Sequence, residues 1–295
     1  MSSSASIASL ATPLLHDEAA KPDSCTVLRP RRGWQPLALG KLWQYRELMG
    51  FLAMRDIKVR YKQTALGALW AIIQPLVMMV VLSTFFGRVI DMEDKTGGVP
   101  YPIFLYAGLL PWTFFAAAVS ASTHSMINHA NMLRKVYFPR LVIPLSSVGA
   151  PLVDYVVAFA VLLGLMGWYQ IIPTAQILLL PLLVLITIVA SLGVGIGLSG
   201  LTVSYRDFRY VVPFMLNVWF FMTPVVWPVK IVSQQYRWLL RLNPMGGTIE
   251  AFRSAVLGHA IDWGALAISC CMALICLVLG LLYFNRAERR FADVV

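Results

Sequence analysis

The stretch Arg55-Asp56-Ile57-Lys58-Val59-Arg60-Tyr61-Lys62 carries four cations in eight residues, and the next 25 residues, Gln63 to Gly87, carry no charged side chain. A helix needs about 20 apolar residues to cross a bilayer. Cations that stop at the edge of such a run mark a cytoplasmic membrane surface. The chain is therefore expected to be an integral membrane protein, with a function that a bundle of membrane helices can perform.

Composition agrees. Of 295 residues, 59% are hydrophobic and 13% charged, which is more apolar surface than a soluble domain of this size uses. Further uncharged runs cover 96–133, 155–205 and 210–229, and another begins at Trp263. The 51 residues from Tyr155 to Tyr205 hold two crossings, broken near Tyr169-Gln170-Ile171-Ile172-Pro173. The pattern predicts an all-α membrane protein with six transmembrane helices at about 64–88, 103–123, 141–168, 175–203, 211–228 and 263–284 within a domain spanning 63–285. The net charge of +10 does not signal nucleic acid, because the cations flank apolar runs and form no soluble basic domain. Cys25 is in the polar N-terminus, while Cys270, Cys271 and Cys276 lie in an apolar run. Their spacing suits neither a zinc site nor a CxxC redox pair, so they count as small hydrophobes.

Cation placement predicts orientation. With the N-terminus inside, eighteen of the 24 Lys and Arg residues are cytoplasmic: ten before Gln63, then Arg134, Lys135, Arg140, Arg206, Arg209, Arg286, Arg289 and Arg290. Six are outside: Arg88, Lys95, Lys230, Arg237, Arg241 and Arg253. Both termini are then cytoplasmic, and 91–102 and 229–262 face outward. Residues 1–40, which lack the apolar core and cleavage site of a signal peptide, are expected to be a disordered cytoplasmic tail. Residues 286–295 are expected to be a second cytoplasmic tail.

Two segments next to the crossings have their own pattern. In 41–62, Leu42, Tyr45, Leu48, Met49 and Leu52 share one helical face, with Gln44, Glu47, Arg55, Lys58 and Lys62 on another. This predicts an amphipathic helix in the headgroup plane, in contact with membrane lipid. Residues 229–262 are too long for a turn and too apolar for a free loop. They predict two short helices dipping back into the outer half of the membrane. Asn243-Pro244 is a candidate start of the second, with Asn as N-cap, Thr248 is an alternative start, and Gly258 is the stop.

Several motifs are decoys. Gly195-Ile196-Gly197-Leu198-Ser199-Gly200 matches GxGxxG but sits in an apolar membrane run, without the strand and βαβ unit that dinucleotide binding needs. Gly193 and Gly197, with Ser191, Gly195 and Ser199, instead give small-xxx-small faces that let helices approach closely. No GxxxxGK[ST] exists in the chain, so any ATP it uses is hydrolysed on another chain. His124 and His129 are five apart, a poor match to helical zinc ligands, and no metal site is expected. Asp154 is the one acid well inside a crossing, and an intramembrane charge is a functional candidate by default. A single carboxylate is too little for a hydrolytic site.

At this point several segments become recognisable together. Arg55 through Gly67, followed by Trp70 and Gln74-Pro75-Leu76, resembles the entrance to the first crossing of polysaccharide and polyol-phosphate ABC exporter permeases. Asn131-Met132-Leu133-Arg134-Lys135-Val136-Tyr137-Phe138-Pro139-Arg140 resembles the cytoplasmic loop before their third crossing. Thr223-Pro224-Val225 with Pro228, then Asn243-Pro244-Met245 and Arg253, resembles their fifth crossing and the segment beyond. The resemblance runs from about Leu42 to Phe284.

It implies a homodimer of six-helix subunits in the bacterial inner membrane, bound to two ABC ATPase subunits that hold ATP and Mg. It implies export of a lipid-linked polysaccharide, such as O-antigen, capsule or teichoic acid. Roles follow from the matching positions. Arg55, Asp56, Lys58, Arg60 and Lys62 form an interfacial entrance. The loop at 124–138, with His129, Arg134, Lys135 and Tyr137, couples to the ATPase. Asn243, Pro244 and Arg253 belong to an outer gate. Aromatic faces pack on sugar rings, so Phe85, Phe86, Trp112, Phe115, Trp219 and Phe220 are candidates for the substrate path, one from each cluster facing the lumen. Two other classes compete. A membrane enzyme of lipid or glycan metabolism would need clustered acids, histidines or metal ligands at one depth. An ion-coupled carrier would usually show paired intramembrane charges and internal repeats.

Overall fold

A chain this apolar can satisfy its backbone in lipid only through internal hydrogen bonds, and among the described residues it does so with helices and no strand. The structure is a computed structural model that describes residues 39–62, 67, 69–89, 92, 96, 98–133, 135–136, 138–172, 174–205 and 207–288. Most of both expected tails lies outside these residues.

The helices are α1 (Leu39–Gln44), α2 (Arg46–Lys62), α3 (Leu69–Leu82), α4 (Tyr101–Asn128), α5 (Ala130–Leu133), α6 (Val142–Ser146), α7 (Gly149–Trp168), α8 (Leu180–Ser204), α9 (Phe208–Met222), α10 (Arg237–Arg241), α11 (Gly246–Leu257) and α12 (Trp263–Glu288). A π-helical turn, Ser83–Val89, extends α3, and a 3-10 turn, Ala175–Leu179, leads into α8. Five stretches are long and apolar enough to cross a membrane: Leu69–Gly87, Tyr101–Asn128, Val142–Trp168, Ala175–Ser204 and Trp263–Glu288.

The expected fifth crossing, 211–228, differs from expectation. Helix α9 is apolar but only 15 residues long. At 1.5 Å per residue it covers about 22 Å, short of the ~30 Å hydrocarbon core. It stops before Thr223-Pro224, where proline removes a backbone donor and disfavours helix in the residue before it.

Helix α4 is the axle of the bundle. It packs against α3, α6, α7, α8, α9 and α11, and 78% of its most apolar window is buried. The Tyr106 hydroxyl donates to Ala158 O of α7 at 3.0 Å. The third predicted crossing is broken between α6 and α7 at Ser147–Val148. There the Ser122 and Ser147 hydroxyls both donate to Pro144 O at 2.8 Å. They serve a carbonyl at the break in the helical ladder.

The GxGxxG decoy, with Gly193 just before it, lies in a packing seam. An added Cβ at Gly193 would lie 2.5 Å from Leu277 N, and one at Gly280 would strike Gly193 O. Helices α8 and α12 thus meet backbone to backbone. On another face of α8, Gly195 lies against Ser122 of α4.

Helix α2 has two apolar faces. Leu52 is buried in a second apolar cluster with Met126, Phe138, Val142, Ile143 and Phe284, and Leu42, Tyr45, Leu48 and Met49 pack against that cluster. The face expected to meet lipid is thus spent on the bundle, while Trp43, Phe51 and Met54 point outward. Gly149 allows close contact, since a Cβ there would lie 2.9 Å from Ala53 Cβ.

Gly193→Ala should destabilise the protein by about 1–3 kcal/mol, because the new methyl group meets backbone that cannot swing aside. Gly50→Ala, in open space on α2, should be neutral or stabilising by up to ~1 kcal/mol. Thermal melting in detergent compares the two. Equal melting temperatures would contradict the seam.

Candidate functional site

Helix α4 is 28 residues, or about 42 Å, long, and its two ends carry two separate polar assemblies. One joins the sequence-predicted entrance cations to Asp154 and His129. The other joins Asn243 and Arg253 to the broken end of α9.

At the first assembly, Arg55 of α2 donates to Asp56 Oδ1 at 2.8 Å through Nη2 and at 3.2 Å through Nε. His129, at the C-terminal end of α4, donates from Nδ1 to Ser125 O at 2.7 Å. A carbonyl accepts only, so Nδ1 holds the proton in the neutral ring and Nε2 faces the Arg55 guanidinium. His129 Nε2 also lies 3.7 Å from Asp56 Oδ1. Burial works against ionisation of Asp56, but His129 in its protonated form and Arg55 outweigh it and hold the carboxyl below its ordinary range.

One turn further along α2, Arg60 Nη2 lies 2.7 Å from Asp154 Oδ2, and the Tyr61 hydroxyl donates to Asp154 Oδ1. The intramembrane acid, taken by itself in the sequence, thus has a cation and a phenol from the segment before the first crossing. Its side chain is 19% exposed and that of Arg60 is 48%, so the ion pair alone contributes at most about 1 kcal/mol. A cavity of about 110 Å³ opens beside the pair, lined also by Trp70, Gln74, Thr113 and Phe114. Lys58 and Lys62 remain exposed on α2. Lys135 is exposed in the turn after α5. Arg134 and Tyr137, expected to join it at the coupling loop, lie outside the described residues.

The second assembly is built on Arg253 of α11, which is 5% exposed. Its Nε donates to Phe104 O at 3.1 Å, Nη1 to Pro224 O at 3.2 Å and Nη2 to Val225 O at 2.8 Å. The guanidinium also stacks 3.7 Å from the centroid of the Phe104 ring. The Tyr101 hydroxyl takes the next carbonyl, Val226 O, at 2.6 Å. Three successive carbonyls left without helical partners beyond α9 are therefore all satisfied. Gly108 makes room, since a Cβ there would strike Arg253 Nη2.

Asn243 closes the assembly. Its Nδ2 donates to Thr223 Oγ1 at 2.8 Å, and its Oδ1 accepts from Met245 N at 3.0 Å and Trp219 Nε1 at 3.2 Å. Ser269 of α12 donates to Asn243 O at 3.2 Å and accepts from Gly247 N at 2.9 Å. The expected N-cap role is corrected accordingly: α11 begins at Gly246, three residues later, and Asn243 folds its own backbone into a turn. Pro244 is buried beside it. Gly258 does stop α11, at φ +75°.

The predicted path rings separate into two groups. Trp112 and Phe115 of α4 and Trp219 and Phe220 of α9 interlock, with centroids 5.2–6.4 Å apart. Phe220 is buried as well, so these rings hold α9 to α4. Phe86 is half-buried and Phe85 is 62% exposed. Helix α9 also exposes Tyr210, Phe214, Val218 and Phe221 on one face; Phe221 belongs to the sequence cluster with Trp219 and Phe220, while the other three were not singled out. Their spacing of three to four residues was the available signal. Tyr61, Tyr101, Gly108 and Thr223 were missed too, because their partners lie 93, 125, 145 and 20 positions away in sequence.

Arg253→Met should leave the Pro224 and Val225 carbonyls without donors and cost about 3 kcal/mol or more. Arg253→Lys keeps the charge but lacks the fork and should fall in between. Thermal melting and folded yield in detergent measure both, and a Met variant as stable as wild type would refute the assembly.

The sequence profile of the ABC-2 type transporter family matches residues 47–257. The chain is 28% identical to the O-antigen export system permease protein RfbA of Klebsiella pneumoniae, over 84% of this chain and 95% of that protein. It is 31% identical to the RfbA of the same description from Myxococcus xanthus, over 75% and 84%. It is 28% identical to the polysialic acid transport protein KpsM of Escherichia coli, over 80% and 92%.

Proposed function

The chain belongs to the ABC-2 type transporter family, and from that premise we propose that it is the membrane subunit of an ATP-driven exporter of a lipid-linked polysaccharide. The observation that carries this reading is the near full-length similarity to permease and transport proteins named for O-antigen and polysialic acid. The sequence has no phosphate-binding loop of its own, so ATP and Mg belong to a separate ABC ATPase, two copies serving a dimer of this chain.

In this reading the bundle has six crossings. The short α9 is the fifth, and α10–α11 form a re-entrant segment that completes the outer half. The chain lies in the bacterial inner membrane with both termini cytoplasmic. The corner from His124 to Phe138 receives the ATPase. Its motion reaches α2 through Arg55, Asp56 and His129, because α2 is joined to the bundle there, at Leu52 and at Asp154. A ring facing a lumen between two subunits must be exposed on one subunit. Phe85 of the predicted set and Phe214 and Phe221 of α9 meet that condition. The buried rings Trp112, Phe115 and Phe220 form the wall behind them.

The permease should export lipid-linked polysaccharide in sealed vesicles only when an ABC ATPase and hydrolysable ATP are present. Transport driven by a proton gradient without ATP would favour the ion-coupled carrier. In a background free of native cysteines, Gln235→Cys and Lys135→Cys should label from opposite sides of the membrane. Labelling from one side would overturn the orientation.

A further inference from the structure

A cavity of about 120 Å³ lies between the 229–241 segment, the start of α11 and the start of α12. Five ionisable side chains line it: Lys230, Arg237, Arg241, Glu250 and Asp262. In the orientation proposed above, which this inference rests on, the three cations are on the outer side, where the topological bias disfavours them. Arg253, the fourth outer cation of this segment, is accounted for by its carbonyls. Lys230 and Arg241 are not.

Nor do they neutralise the two acids by direct pairing. No ion pair joins any two of the five, although they share one small cavity. Arg237 is committed to the loop, donating to Val232 O at 3.0 Å and Lys230 O at 3.4 Å. Asp262 accepts from Ala265 N at 3.0 Å at the start of α12. The side chains of Lys230, Arg241 and Glu250 make no hydrogen bond or ion pair with a described residue. Glu250 is half-buried all the same.

The chemistry of this lining narrows the ligand. A free phosphate would meet the cations but also two carboxylates. A metal ion would meet the carboxylates but also three cations. A sugar presents hydroxyls that both donate and accept, and it alone uses both kinds of group at once. Charge-assisted hydrogen bonds to neutral hydroxyls need no neutralising partner. The cavity opens to the surface and has room for several waters, which suits one edge of a sugar ring. We infer that this mixed-charge cavity is a glycosyl-binding subsite that holds one sugar unit at the exit end of the permease.

The test uses the full-length permease in nanodiscs and saturation-transfer NMR with D-glucose, D-galactose, D-mannose, L-rhamnose and N-acetyl-D-glucosamine, with inorganic phosphate as the rival. At least one sugar should receive saturation, and inorganic phosphate should not compete with it. Arg241→Ala and Glu250→Gln should each weaken that signal roughly tenfold, the loss expected for one charge-assisted hydrogen bond. Both variants should melt like wild type. Saturation of no sugar, a signal unchanged in both variants, or displacement by phosphate would each overturn the subsite. Those results leave the vesicle export assay unaffected. Failure of ATP-dependent export would instead strike at the exporter reading, whatever the cavity binds.

Discussion

The architecture at one end of this molecule depends on a single buried guanidinium. Helix α9 cannot continue through Thr223-Pro224, so the backbone carbonyls after it have no ladder to join. In a membrane bundle an unsatisfied carbonyl costs several kcal/mol. Arg253 and Tyr101 answer that demand for Pro224, Val225 and Val226. The guanidinium reaches Phe104 O of α4 in the same posture, which ties the axle, the broken helix and α11 together. Lysine has three rotatable donors on one nitrogen and cannot present this planar fork. The arrangement uses the charge with no carboxylate in contact, since the acceptors are backbone dipoles. A buried arginine of this kind is structural before it is functional, yet its placement decides where α11 can lie.

The opposite end uses a weaker and more distributed fastening. Arg60 and Tyr61 meet Asp154, Arg55 and Asp56 meet His129, and Leu52 fills an apolar cluster with α6 and α12. Each polar contact is partly exposed and contributes little by itself. The apolar contact supplies the larger share, about 1.5–3 kcal/mol for a fully buried leucine. Several modest bonds spread along 17 residues fasten α2 to α4, α6 and α7 and leave Lys58 and Lys62 exposed. Asp154, with a cation and a phenol beside it, has the surroundings of a fastening, and among the described residues no second carboxylate lines the cavity beside it.

Between the two ends, aromatic residues do two different jobs that look alike in sequence. Trp112, Phe115, Trp219 and Phe220 close the α4–α9 contact, and Trp219 also donates to Asn243, joining the aromatic cluster to the Arg253 assembly. Tyr210, Phe214 and Phe221 leave the same helix on the other side and stay largely exposed, although the Phe221 ring still meets Phe220 edge-on at 5.1 Å. Adjacent residues such as Phe220 and Phe221 differ by about 100° of helical rotation, enough to send one ring inward and the other outward.

The amino-acid sequence determined the class of this protein by itself. Long uncharged runs require helices in lipid, and the cation boundary at Lys62, the small-residue seam at Gly193 and Gly197, the stop at Gly258 and the absence of an ATP-binding loop are all local patterns with local physical causes. The family, too, was legible in short motifs from Arg55 to Arg253. Tertiary structure alone decided the pairings: Asp154 with Arg60 and Tyr61, Arg253 with three carbonyls, Asn243 with Thr223 and Trp219. It decided that α9 ends at Met222, that the apolar face of α2 meets protein, and which aromatic rings are wall and which are surface. Periodicity reports which face of a helix is apolar. It does not report what that face meets, because a partner 94 or 149 residues away is brought close only when the whole bundle packs.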